Sequence, residues 1–254
     1  MSKTTEETNE IVPSNVTVEP LTEDEIGPVE VQELLEVPEM PEKKRIPLWK
    51  RILFSPVILG KSDAQKIAYI GVMTALCIVA NFLEFKFADV QYSFTIFASV
   101  LTGILIGPVF GFVAAFLGDA LAFLVHSGGF IYMPWVGLSV ACMALIAGLV
   151  INLPFRFKGS CYVKLTIACV LTLIVCSVGI NTTGMYIYYT NVGFTPKSLN
   201  LIAEHFGGKN MYLTYALVRL VFLGQLLNNV FNYVLLFVVV PLLKAIKPLK
   251  LELR

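Results

Sequence analysis

Six stretches of this chain are apolar for so long that the fold must be one that lipid can solvate. They run at about 66–83, 93–107, 109–126, 131–153, 163–189 and 211–243. A hydrocarbon core about 30 Å thick needs roughly 20 mostly apolar residues in a helix. The expected fold is therefore an all-α membrane protein, a bundle of six transmembrane helices. Only Ile106-Gly107-Pro108 separates the second and third stretches, which predicts a tight hairpin between antiparallel helices. Composition agrees with lipid as the solvent. Charged residues make up 15% of the chain and mean hydropathy is +0.75, whereas an average soluble domain carries about 25% charged residues.

The charges are unevenly placed. Twelve of the 18 acidic residues precede Lys43, in a stretch that holds one lysine, no aromatic residue and five prolines. Such a segment cannot bury enough apolar surface to offset its ordering entropy, so residues 1–42 are expected to form a disordered acidic tail. Residues 43–62 mix Lys43, Lys44, Arg45, Lys50 and Arg51 with Trp49, Leu53 and Phe54, the makeup of a segment lying on the membrane surface. Residues 63–254 form the transmembrane domain. With the N-terminus inside, seven cations lie before or at the start of the first span, three between the fourth and fifth, and four after the sixth. The inside count is then fourteen, against Lys86, Lys197 and Lys209 outside. The excess predicts that both termini are cytoplasmic. The N-terminus has no apolar h-region, so no cleavable signal peptide is expected. The outward loops are Glu84–Gln91, His126–Phe130 and Asn191–Asn210, the last long and polar enough to serve as a lid.

Two helices carry stripes of small residues. Ala64, Ala68, Gly71 and Ala75 in the first span fall within about 60° of one another at 100° per residue, and a stripe of this kind lets another helix approach closely. Packing inside the bundle and docking of an external partner both fit. Gly111, Ala115, Gly118 and Ala122 in the third span repeat the pattern, and there internal packing is the better reading.

Asp119 and Arg219 are the ionisable residues well inside the spans. A charge at the centre of a bilayer costs on the order of 3 kcal/mol, so each needs a partner or a wet cavity. They can pair with one another, or Arg219 can meet an anionic group of a solute, since its planar fork suits a carboxylate. Gln225, Asn228, Asn229 and Asn232 share one face of the sixth span, either as hydrogen-bonding glue between helices or as the floor of a cavity. His126, Tyr132 and Trp135 flank the outer end of the connection between the third and fourth spans, and Asn181, Thr182 and Thr183 lie in the fifth.

No nucleophile elbow, zinc-protease motif or phosphate-binding loop occurs, so the chain is not expected to be an enzyme or to hydrolyse ATP. Cys77, Cys142, Cys161, Cys169 and Cys176 show no Cys-x-x-Cys spacing and read as small buried hydrophobes. No metal, cofactor or nucleic acid is implied; the expected partners are the lipid bilayer and a small solute. The rival from another class is a membrane scaffold that binds proteins and no solute, with a lipid-acting enzyme a distant third.

The run Leu105-Ile-Gly-Pro-Val-Phe-Gly-Phe-Val-Ala-Ala-Phe-Leu-Gly-Asp119, followed by Gly128-Gly-Phe-Ile-Tyr-Met-Pro134-Trp-Val-Gly137, resembles the substrate-binding S components of energy-coupling factor (ECF) transporters. The similarity covers about residues 62–246. It implies a vitamin-binding bundle that topples against a separate transmembrane coupling subunit, driven by two ATPase subunits, with the stripe Ala64, Ala68, Gly71 and Ala75 as the docking face. Gly118-Asp119, Asn181-Thr182 and Arg219 are most similar to the folate-like group. The Gln225-Leu-Leu-Asn-Asn-Val-Phe-Asn232 run departs from it, so riboflavin, queuosine precursors and other B-vitamin-like solutes stay open. Adding the residues singled out above, the candidate solute-binding residues are Arg219, Asp119, Asn181, Gln225, Asn229, Tyr132, Trp135 and His126.

Overall fold

The computed structural model describes residues 47–245 apart from 88–89, 128–130, 155–158 and 210. The acidic tail, the Lys43–Arg45 cluster and the glycines of the 126–130 connection lie outside the described residues. Two short helices, α1 (Leu48–Leu53) and α2 (Pro56–Leu59), come first. Asn152 donates to the Ile52 carbonyl at 3.0 Å, Phe54 packs on Phe110 with ring centroids 5.2 Å apart, and Ile58 is buried.

Helix α3 (Asp63–Phe82) starts with a capping box in which Ser62 and Gln65 satisfy each other's backbone N–H groups, two of the orphan donors at any helix start. A hairpin of β1 (Glu84–Phe87) and β2 (Val90–Ser93) follows, pairing Glu84 with Ser93 and Phe87 with Val90. This hairpin stands where an outward loop was expected. Its Phe85 stacks on Tyr92 at 5.2 Å and meets the edge of Phe231. The second apolar segment, expected at about 93–107, forms α4 (Thr95–Ile106), which starts just after the hairpin ends at Ser93. At 1.5 Å per residue, 12 residues span about 18 Å. Ten of those 12 are buried, so α4 is the core of the bundle.

Gly107, at φ +90°, and Pro108 make the hairpin link into α5 (Pro108–Val125). Next come α6 (Pro134–Asn152), α7 (Ser160–Val192), α8 (Pro196–Phe206), α9 (Tyr212–Phe222) and α10 (Gln225–Ala245). Helices α3, α5, α6, α7 and α10 are long and apolar enough to cross a membrane; α4 and α9 are shorter. The single helix expected over 211–243 is thus two, broken at Gly224, whose φ is +75°. A Cβ there would collide with Val90 of β2, so glycine lets the hairpin sit against the break.

The core forms where α4, α5 and α6 meet. A Cβ on Gly111 would lie 2.7 Å from the Gly103 Cα, and one on Gly148 would lie 2.6 Å from the Pro108 nitrogen. Val100, Ile104, Ala114, Ala147, Leu165, Leu236 and Val240 fill the space around these backbone contacts. The stripe Gly111, Ala115, Gly118 and Ala122 is wholly buried, as expected. The stripe Ala64, Ala68, Gly71 and Ala75 is wholly exposed.

Candidate functional site

The chain reverses so that α3, α5 and α7 finish, and α4, α6 and α9 begin, at one end of the bundle. A cleft of two lobes opens there. The larger, about 820 Å³, is lined by α3, α5, α6 and α7 residues including Asn81, Asp119, Phe123, His126 and Tyr132. The smaller, about 380 Å³, is lined by Asn181, Thr195, Ser198, Tyr215, Arg219, Gln225 and Asn228 among others. Glu84, Met185 and Tyr189 line both. These volumes fall in the range of small-molecule sites.

Arg219 is the cation of the smaller lobe. Its Nε donates to Gln225 Oε1 at 2.8 Å, Nη1 to the Tyr215 hydroxyl at 3.3 Å and Nη2 to Asn181 Oδ1 at 3.2 Å. Three neutral oxygens therefore aim a guanidinium that has five donors, and none of them neutralises its charge. Arg219 and Asn181 both stand on π-helical turns, Val218–Phe222 of α9 and Thr172–Thr182 of α7, a geometry frequent at functional sites.

Asp119, in α5, is the carboxylate of the larger lobe. The Tyr132 hydroxyl lies 3.5 Å from its Oδ2. Among the described residues Lys66 pairs with Asp63, and the His205 ring lies 3.9 Å from Glu204. The internal Asp119–Arg219 pair weighed from the sequence does not form: the two groups occupy different lobes.

The other expected residues divide. Asn181 and Gln225 hold Arg219, and His126 stands exposed at the rim of the larger lobe. Asn229 is not in the cleft. It is fully buried, accepts from Ser177 at 2.9 Å and donates to the Gln225 carbonyl at 2.7 Å, so it joins α7 to α10. Trp135 lines neither lobe; its ring lies against Gly184 and Tyr188. Asn228 and Asn232 explain the amide run of α10: their Oδ1 atoms accept from the Ser93 and Phe97 N–H groups at 3.0 and 2.9 Å. They tie α10 to β2 and to the open first turn of α4.

Tyr215 was not anticipated. Tyr215 is 2% exposed and contacts Arg219, and the signal for it was its place one turn before an intramembrane arginine. The 191–210 connection, expected as a loop, contains α8. Thr195 caps it by accepting from the Ser198 N–H, Ile202 is buried beneath it, and His205 stacks on Phe222 at 4.3 Å.

A family model described as ECF transporter, substrate-specific component, matches residues 65–244. The chain belongs to that family of membrane transport subunits. A solved structure of FolT bound with folic acid is similar to it, with a TM-score of 0.46 and 16% identity over 68% of this chain and 90% of that one. No curated protein matches the chain.

Proposed function

We propose that this subunit captures an anionic, folate-like B vitamin from outside, with Arg219 holding the anionic group. The bundle crosses the membrane six times, with both termini cytoplasmic. It releases the solute inside when docked to a separate transmembrane coupling subunit driven by two ATPase subunits. The observation that carries this reading is Arg219, oriented by Gln225, Tyr215 and Asn181 in the smaller lobe with no ion-pair partner among the described residues, while Glu84, which also lines that lobe, accepts from Gln91 instead. An uncompensated guanidinium at that depth is costly, and an anionic solute supplies the missing charge. Helix α8 lies over the smaller lobe through Thr195 and Ser198 and would exclude water from it.

The docking face is the exposed stripe of α3. A Cβ at Gly71 would meet nothing within 4 Å, so the groove is left open by the described residues. The preference for a folate-like solute rests on the resemblance of Gly118-Asp119, Asn181-Thr182 and Arg219 to the folate-like group.

Arg219→Gln tests the reading by thermal shift and ligand titration on the purified subunit. The variant should keep its ligand-free melting midpoint and lose on the order of 2–5 kcal/mol of anion binding, as when one partner of a buried pair is removed. Unchanged affinity for every anionic vitamin that the wild type binds would sink it.

A further inference from the structure

Two of the three oxygens that aim Arg219 come from segments whose own backbones are irregular. Gln225 opens α10 just past the break at Gly224, so no continuous helix ties its position to that of Arg219 on α9. Asn181 stands near the end of the π-helical turns Thr172–Thr182 of α7. A polar link runs between the two. Asn229 is fully buried, and its Nδ2 donates to the Gln225 carbonyl at 2.7 Å. Its Oδ1 accepts from the Ser177 hydroxyl at 2.9 Å and from that of Tyr233 at 3.4 Å. The Ser177 carbonyl in turn accepts at 2.7 Å from Oγ1 of Thr182, the residue next to Asn181. Ser177 and Thr182 are also fully buried, and in such low-dielectric surroundings each of these bonds is stronger than it would be at a surface.

We propose that Asn229 is a positioning residue for the Arg219 guanidinium. Through Gln225 on α10, and through Ser177 and Thr182 toward Asn181 on α7, it fixes the two oxygens that meet Nε and Nη2. This rests on the reading that Arg219 takes the anionic end of the solute. Asn229 lines neither lobe of the cleft, so it acts through its neighbours. An arginine side chain has many rotamers, and one that is already aimed spares the solute the cost of ordering it. The Tyr215 hydroxyl reaches Arg219 from one turn earlier on the same helix, so it does not set the guanidinium's place between α7 and α10. Asn181 and Gln225 do, and the Ser177–Asn229 bond ties together the segments that present them. The Tyr233 and Thr172 hydroxyls, 3.1 Å apart, continue the same tie further from the cleft.

A double-mutant cycle on the purified full-length subunit separates positioning from packing, with folic acid as the titrant. Asn229→Ala should weaken folic acid about 10-fold and lower the melting midpoint, since it leaves the buried Ser177 hydroxyl without its acceptor. In the Arg219→Gln background the same substitution should change affinity by less than about twofold, because the group it positions is gone. Ser177→Ala removes only a hydroxyl and runs the same cycle, with a loss in the same direction, should Asn229→Ala fail to fold. Ser139→Ala is the packing control: its buried hydroxyl donates to the Cys176 carbonyl at 2.9 Å, on the same π-helical turns but outside the link. It should lower the melting midpoint and leave folic acid affinity within about twofold. Unchanged affinity in Asn229→Ala and Ser177→Ala, an equal loss in Ser139→Ala, or losses that add in full to that of Arg219→Gln overturn the positioning role. Each of these leaves the anion reading standing, provided that Arg219→Gln still weakens folic acid. A wild type that does not bind folic acid, or an Arg219→Gln variant that binds it as tightly as wild type does, overturns both.

Discussion

The stripes of α3 and α5 look alike in sequence, yet the protein uses them in opposite ways. Both place glycine and alanine at helical spacing in apolar spans of similar length. On α5, Gly111 is closed against the Gly103 backbone, and Gly118 against Cys77 and Thr74 of α3. On α3, those same residues, Thr74 and Cys77, form the buried face together with Ala80, while Ala64, Ala68, Gly71 and Ala75 point away from the bundle. At 100° per residue, Ala75 and Cys77 stand about 200° apart. A helix has room for two such faces, and spacing alone does not say which of them its own chain fills. In lipid the ambiguity is sharper than in water, because an exposed small-residue groove carries no apolar penalty that would betray it.

Three substitutions break or sharpen this comparison. Gly71→Trp should bring solute uptake by the assembled transporter to background while ligand binding and melting midpoint stay at wild-type values. Loss of folded protein instead would mean that the stripe packs internally. Gly111→Val should have the reverse profile: its Cβ would lie 2.7 Å from the Gly103 Cα, and overpacking of this kind costs about 1–3 kcal/mol. The readouts are a lower melting midpoint and a lower yield from membranes, with residual folded protein still taking up solute. The smallest effect belongs to Gly71→Ala, which has open space around it. Removing a mid-helix glycine should raise stability by about 0.5–1 kcal/mol and leave uptake intact. A fall in melting midpoint would show the groove to be occupied.

The apolar spans were legible because hydropathy over a whole segment is a strong signal, and Gly107-Pro108 marked the α4–α5 link for a definite steric reason. What escaped is local and depends on tertiary contact. The hairpin was announced only by the alternation of Phe85, Phe87 and Tyr92 within a short polar segment. Its reason for forming lies far away, in Phe231 and in the Asn228 and Asn232 amides that grip β2 and α4. Thr195-Pro196 and Gly207-Gly208 were start and stop signals for α8, hidden by the general polarity of that connection. The break at Gly224 was invisible because nothing in the sequence says that Val90 needs its missing side chain.

Within the site, Arg219 and Asp119 stood out because an intramembrane charge demands an explanation. The amides around them could not be sorted. Asn181 and Asn229 are the same residue type in similar surroundings, and only the turn on which each stands decides that one meets the guanidinium and the other a serine.

The wide turns of α7 bear on how the length of this chain can vary. Between Thr172 and Thr182 each backbone bond reaches one residue further than in an α-helix, so the segment stores surplus residues. A one-residue deletion in an ordinary helix swings everything beyond it by about 100°. Here it can be taken up by tightening a wide turn into a normal one, leaving the lipid-facing surface on either side in phase. A descendant could thereby shift Asn181 around the axis and re-aim the guanidinium it holds, changing what the pocket admits while the surrounding bundle keeps its alignment.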